Sequence, residues 1–222
     1  MVRIEGPLAW QQQKLFVADW YMVTGNDISN ILTDIPKNVG NSLGVSVGTG
    51  PSEAPESASE IFQTLIASAL SEIRIVTPYY VPNAPLQSML CCAARSGIAV
   101  QIIFPKKNDS FIVDGASKSY YEDLLEAGVQ IYEYPLGLLH SKIITIDGKL
   151  SYIGSTNLDR RSFDLNFEDN VFLYDEKITT EINLRQDDYL QSCEKIELSQ
   201  VQKWSIPRKV WYNILAIVGP LL

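Results

Sequence analysis

Between Ile61 and Asp175 the spacing of apolar residues keeps switching period, and the switches predict alternating helices and strands. "EIFQTLIASALSE" places Ile61, Leu65 and Ala69 on one helical stripe, with Ser57 or Ser59 as the expected cap. "IRIVTPYYV" follows as a β-branched and aromatic strand stopped by Pro82, and "PLQSMLCCAARSG" as a helix ending at Gly97. Next come the strand "IAVQIIFP", a helix through "SKSYYEDLLEAG" and the strand "VQIYEYP". "KIITID", "SYIGS" and "FEDNVFLYD" add three more strands joined by tight polar turns. Alternation of this kind, with mostly apolar strands, predicts a layered α/β sheet flanked by helices.

The flanks depart from that rhythm. "PKNVGNSLGVSVGTGPSEAPES" is rich in Gly, Ser, Asn and Pro and breaks the rhythm, which marks a boundary. Before it, "RIEGPLAWQQQKLFVADWYMVTG" predicts a short strand and then an apolar-striped helix with Pro7 at its start. Its pattern echoes "FLYDEKITTEINLRQDDYLQSC": Asp19 and Tyr21 align with Asp187 and Tyr189, and Phe16 aligns with Leu184. The echo points to a repeated unit.

Composition narrows the classes of function. With 222 residues, 46% hydrophobic and 20% charged, the chain can bury one good core. A formal charge of -8 argues against a surface that tracks nucleic-acid phosphates, so any anion site is local. One histidine and three cysteines, Cys91 and Cys92 adjacent, form neither zinc spacing nor a disulfide framework; no metal and no cofactor is expected. Cys91 and Cys92 are expected to be buried helix residues. The first ten residues hold no signal-peptide core, and no run approaches the ~20 apolar residues that span a bilayer. The tail "WYNILAIVGPLL" reads either as a docked terminal helix or as an interfacial one.

The chemistry concentrates in "HSKIITIDGKLSYIGSTNLDRRSFDLNFEDN", residues 140–170. Strand alternation puts His140 and Lys142 on one face, and Gly154 ends the next strand where backbone can approach a ligand. A neutral imidazole attacks phosphorus well near pH 7. Lys142 and the amide of Asn157 would hold the non-bridging oxygens as charge develops. Chemistry of this type uses two histidines, and His140 is the only one in the chain.

The spacing His140-x-Lys142, four residues, Asp147, six residues, Gly154-Ser155-x-Asn157 resembles the HKD motif of the phospholipase D superfamily without departure. "TPYYVPN", "SKSYYEDLLEAGVQIYEYPLGLLHSK", "GSTNLDRRSFDLNFE", "RIEGP" and "FVADWY" resemble the second half of the bacterial cardiolipin synthases. The resemblance implies a phospholipase D-like fold of two α/β halves with one motif each, one histidine attacking the phosphodiester and the other protonating the leaving alcohol. By that resemblance the first-half histidine is the nucleophile and His140 the acid–base partner, an assignment the residues themselves leave open. Glu168 would orient the imidazole and raise its pKa, while Asp147, Gly154 and Ser155 support the motif.

On this reading residues 1–45 are the tail of a first half and a linker, and 46–222 a second phospholipase D-like domain. The partners implied are phosphatidylglycerol or another anionic phospholipid, a membrane surface, and either a missing first half or a second copy of the chain; nucleic acid is not favoured. The expected location is peripheral, on the cytoplasmic face of a bacterial cell membrane whose full-length relatives are anchored there. The rival readings are a homodimeric one-motif phosphodiesterase or nuclease and an inert orphan half. Outside the motif the plainer readings prevail. Arg160 and Arg161 read either as contacts to substrate phosphate or glycerol or as ion pairs with Asp159 or Asp164, Tyr79, Tyr80, Tyr120 and Tyr121 as core filler, and Lys106 and Lys107 as a solvated loop.

Overall fold

The computed structural model describes residues 2–52 and 56–218. The apolar strand segments take their expected places: β2 (Glu72–Val76), β4 (Ala99–Pro105), β5 (Gln130–Tyr134), β6 (Ile143–Ile146), β7 (Leu150–Gly154) and β9 (Glu168–Tyr174). Two further strands, β1 (Leu43–Thr49) and β10 (Glu194–Ile196), complete one eight-stranded sheet in the order β1-β9-β7-β6-β2-β4-β5-β10. Strands β2, β4 and β5 run parallel, and every other pairing is antiparallel. Pro78 ends the run "IRIVTPYYV" early: β3 (Tyr80–Val81) leaves the sheet and pairs with β8 (Leu158–Asp159).

Alternation along β2 dresses both faces of the sheet. Ile73 and Ile75 join the main core beneath α2 (Ser57–Ala67) and α3 (Ala84–Arg95), through Phe62, Leu86 and Leu90. Arg74 and Val76 face the other way, toward α7 (Glu176–Ser192), where Arg74 reaches Asp187 at 2.6 Å. That second interface is polar. Thr145 donates to Asn183 at 2.7 Å, and the side chains of Ser151, Thr179 and Gln186 each bury a polar atom with no partner among the described residues. Such atoms suit an ordered water.

Helices α4 (Phe111–Ser119), α5 (Tyr121–Glu126), α6 (Arg160–Asp164), α8 (Leu198–Gln202) and α9 (Ile206–Val218) close the rim. Among the described residues no helix is long and apolar enough to cross a membrane.

The glycine-rich flank holds the largest surprise. Helix α1 (Pro7–Thr24) begins at Pro7 as predicted, but no strand precedes it among the described residues. The segment that breaks the helix–strand rhythm contains β1, which pairs along its whole length with β9 and spans residues 43–49. Its glycines are a floor for α1: a Cβ on Gly44 would lie 3.0 Å from Leu8 and one on Gly48 3.0 Å from Leu15. Leu8 and Leu15 sit two helical turns apart and drop into those two gaps. Neither Ser57 nor Ser59 caps α2. Glu56 takes the N-cap position, and the Ser59 hydroxyl accepts from Asn83 at 2.7 Å. Gly97 does follow α3 with φ of 92°. Of the two adjacent cysteines only Cys91 is buried; Cys92 faces solvent.

Asp147 closes the β6–β7 hairpin in a left-handed conformation, φ 51°, with Gly148 following at 65°. Its carboxylate accepts from the backbone of Leu70, Ser71 and Glu72 and from the Ser71 hydroxyl, each at 2.8 Å. Partial burial works against ionisation, but the hydrogen bonds from Glu72, Leu70 and Ser71 outweigh it and hold the carboxyl below its ordinary value. Asp147 therefore splices the hairpin to the start of β2. Asp147→Ala is expected to cost about 2–3 kcal/mol in chemical denaturation. The lowered pKa confines that contribution to pH above ~4, so wild type and variant should converge as pH falls through the carboxylate range. A loss under ~0.5 kcal/mol at pH 7 would leave the splice without energetic weight.

Candidate active site

The carboxyl ends of β2, β4 and β5 open on the same edge of the sheet, where ligands bind in α/β folds. The loop after β5 leads through Leu139, which is buried, to His140, which is exposed. Regular pairing in β6 starts only at Ile143, but Gly154 N donates to Lys142 O at 3.3 Å and carries the hairpin one residue further. Lys142 is consequently held down, 8% exposed, with its ammonium 2.9 Å from His140 Nδ1 and 3.3 Å from Nε2. It also donates to His140 O at 2.9 Å. An ammonium this close to both ring nitrogens favours a neutral imidazole over imidazolium, and the two distances do not distinguish its tautomers.

Electrostatics agree with the neutral ring. Burial is the largest influence on His140 and the Lys142 charge the second; both disfavour imidazolium, Asp109 partly opposes them, and the pKa falls below the ordinary histidine value. This reverses the expectation that Glu168 raises it. Glu168 accepts no hydrogen bond from the ring among the described residues and is bound elsewhere: Ser155 donates to its Oε2 and Asn166 to its Oε1 at 3.0 Å. Its charge is felt instead at Lys142. There burial lowers the pKa most, and Glu168, Asp159 and Asp109 only partly restore it.

The remaining motif residues divide by role. Asn157 is buried beside the start of α6, its backbone and side-chain N–H groups both on Ser162 Oγ, at 3.2 and 3.3 Å. Its Oδ1 is buried without a partner among the described residues. Asp159 caps α6 through Ser162 N at 2.7 Å. Ser155 ties the end of β7 to β9, accepting from Asp169 N at 2.9 Å. Gly154 is not a gap for a ligand: an added Cβ would lie 2.7 Å from Asp169 O and 2.8 Å from Asn170 Oδ1, so the glycine serves strand packing. Asp147 stands at the opposite end of β6 from His140.

Two residues left outside the motif belong here. The Tyr79 ring meets the His140 ring edge-on, centroids 5.9 Å apart, and its hydroxyl donates to Asp109 at 2.6 Å. Burial and that hydrogen bond push the phenol up to about 12. The Pro78 break in "TPYY" was the available signal, since a strand stopped at the sheet's ligand-binding edge presents the next side chain to it. Tyr80 and Tyr121 are core residues as expected.

Because His140 is the sole histidine, one NMR titration reads it without ambiguity. Its midpoint is expected below the usual ~6.5. Lys142→Met should raise it, though not to the ordinary value because burial remains, and Asp109→Asn should lower it further. A midpoint above the ordinary value in the unaltered chain would overturn this account. Because the ring is depressed, the unfolded chain takes up its proton first as pH falls below that value, so the fold loses stability there rather than above it.

The comparisons extend these observations. A family model described as "Cardiolipin synthase, PLD-like domain" matches residues 62–187, more than half of the chain. Cardiolipin synthase A of Proteus mirabilis is 35% identical over 228 residues, covering 100% of this chain and 46% of that protein. A cardiolipin synthase of Geobacillus thermodenitrificans is 37% identical over 225 residues, covering 99% of this chain and 44% of the relative. The chain thus spans less than half the length of these relatives. In fold it is similar to phosphatidylserine synthase of Haemophilus influenzae, TM-score 0.65 at 15% identity, covering 85% of this chain and 48% of that one. It is also similar to the phospholipase D family member Nuc of Salmonella typhimurium, TM-score 0.60 at 18% identity, covering 70% and 99%. The matched domain, the long sequence relatives and the shared sheet lead to one conclusion: the chain belongs to the phospholipase D-like domain family of the cardiolipin synthases.

Proposed function

We propose that this chain supplies one half-site of a phosphatidyltransferase that converts two phosphatidylglycerol molecules into cardiolipin and glycerol. The observation that carries the reading is the exposed His140 ring with the Lys142 ammonium at 2.9 Å. An anionic phosphodiester competes with the ring for that ammonium, so its arrival releases Nδ1 and holds a non-bridging oxygen. Half a turn of the Asn157 amide would put Oδ1 on the Ser162 hydroxyl and Nδ2 at the buried position that Oδ1 now holds without a partner among the described residues.

The transfer has two steps. One imidazole forms a bond to phosphorus as the bond to the glycerol oxygen breaks, and the other imidazole gives that oxygen its proton. The hydroxyl of a second phosphatidylglycerol then gives its proton to the second ring and displaces the first. Within this chain His140 is neutral at pH 7, suited to attack or to accept a proton. Work as an acid calls for a carboxylate from a second half-site. That site belongs either to the remaining length of a longer protein or to a second copy of the chain, and residues 1–45 fit the tail of a preceding half. The site works at an anionic phospholipid surface, with the domain peripheral to it.

The test mixes the chain with phosphatidylglycerol vesicles, with and without a supplied first half-domain, and measures cardiolipin. Cardiolipin is expected when two imidazoles share a cleft, and His140→Ala should lower the rate ~10²–10⁴-fold. Undiminished turnover in that variant would overturn the assignment. Cleavage of a soluble bis-phenyl phosphodiester by a dimer that makes no cardiolipin would favour the phosphodiesterase reading instead.

A further inference from the structure

Few groups hold the ring of His140. Among the described residues its two nitrogens meet the Lys142 ammonium, at 2.9 and 3.3 Å, and its one aromatic contact is Tyr79. The carboxylate expected to orient it, Glu168, is bound to Ser155 and Asn166. The transfer chemistry proposed above draws the ammonium toward a phosphodiester, and Tyr79 is then the contact that stays. The ring needs such a contact. The Cβ–Cγ torsion of histidine has broad minima, so an unbraced imidazole swings its in-plane nitrogens away from a reacting phosphorus.

Tyr79 is built to supply it. The residue stands in the stretch between β2 and β3, directly after buried Thr77 and Pro78. Thr77 Oγ1 donates to Tyr79 O at 2.9 Å, and Asn108 Nδ2 donates to Pro78 O at 2.7 Å. At the far end of the side chain the hydroxyl donates to Asp109 Oδ1 at 2.6 Å. The loop that carries Asn108 and Asp109 is fixed in turn. Ser110 N donates to Asn108 Oδ1 at 3.1 Å, and Lys106 N to Tyr134 O at 2.8 Å. A phenol tied at both root and tip keeps its axis, and the imidazole stands against it at 87° with centroids 5.9 Å apart. Aromatic quadrupoles favour that crossed arrangement.

We propose that Tyr79 is the positioning residue for the His140 ring, braced by Asp109 and taking the place of an orienting carboxylate. This rests on the transfer reading and adds what holds the ring once a phosphodiester has claimed Lys142. Tyr79 acts through orientation alone, because its hydroxyl is committed to Asp109. Asp109 contributes twice: it anchors the phenol, and its charge favours the imidazolium form. Substitution separates the two contributions. Asp109→Asn keeps an acceptor for the phenol and removes the charge, whereas Tyr79→Phe keeps the ring and removes the tie.

Side-chain relaxation NMR on the full chain reads the ring directly, since no other histidine is present. In Lys142→Met the order parameter of the His140 ring is expected to stay at the parent's value, with cross-relaxation to the Tyr79 ring intact. Adding Tyr79→Leu should lower it by ~0.2 or more, and adding Tyr79→Phe should lower it less. The second measurement is cardiolipin synthesis from phosphatidylglycerol vesicles with a supplied first half-domain. There Tyr79→Leu should lower kcat about ten- to a hundredfold and leave KM within about twofold. Tyr79→Phe should recover most of that loss, while Asp109→Asn should keep the plateau rate and move the pH profile to lower pH. The proposal is overturned if Lys142→Met alone frees the ring, or if either ring order or kcat survives loss of the Tyr79 ring. If no cardiolipin forms, the transfer reading fails and ring order alone decides this one.

Discussion

The antiparallel insertion of β6 between β2 and β7 is the constraint from which the rest follows. It joins the parallel half of the sheet to the antiparallel half, and its two ends are fixed by different means. At one end the Asp147 carboxylate gathers the backbone of residues 70–72; at the other the Gly154–Lys142 hydrogen bond prolongs the hairpin. Between them Ile144 and Ile146 anchor the strand in the main core. A four-residue strand so tethered holds buried Lys142 beneath exposed His140, and the tether is what keeps an ammonium pressed against an imidazole.

That pairing sets the chemistry of the site. Cation and ring share a partly desolvated place, and each loses some of its affinity for a proton. The carboxylates around them act unequally: Glu168 is spent on Ser155 and Asn166, while Asp109 reaches the ring through its field and through the Tyr79 hydroxyl. An anion entering the cleft would meet a cation whose present partner is a neutral ring rather than a carboxylate, which lowers the cost of exchange.

Much of this was legible in the sequence because strands and motif share a period. Alternation alone brings His140 and Lys142 together, and the apolar runs locate six of the eight strands of the main sheet. What stayed hidden depended on neighbours distant in the chain. Gly44 and Gly48 look like loop residues until α1 is laid over them. Gly154 looks like a ligand gap until β9 is placed beside it. The partner of Glu168 is set by how the loop after α6 returns, and Asp109 meets Tyr79 across 30 residues with no local pattern to announce it. Asp147 was read as a supporting residue through the resemblance, and the structure supplies the reason in its left-handed turn before Gly148.

The two borders of the sheet are protected very differently. On one side β10 has three residues, two of them charged, which discourages any foreign strand from joining. On the other β1 is seven residues long, uncharged and free of proline, with its outer backbone groups unpaired in the ladder. Helix α1 shields the face of β1, through contacts that work because two side chains are missing beneath it, and its Gln11 accepts from one backbone amide of the strand, Ser46 N, at 2.8 Å. Loosening that helix would bare a flat, adhesive border, and self-association of the chain into extended β-structure would begin there.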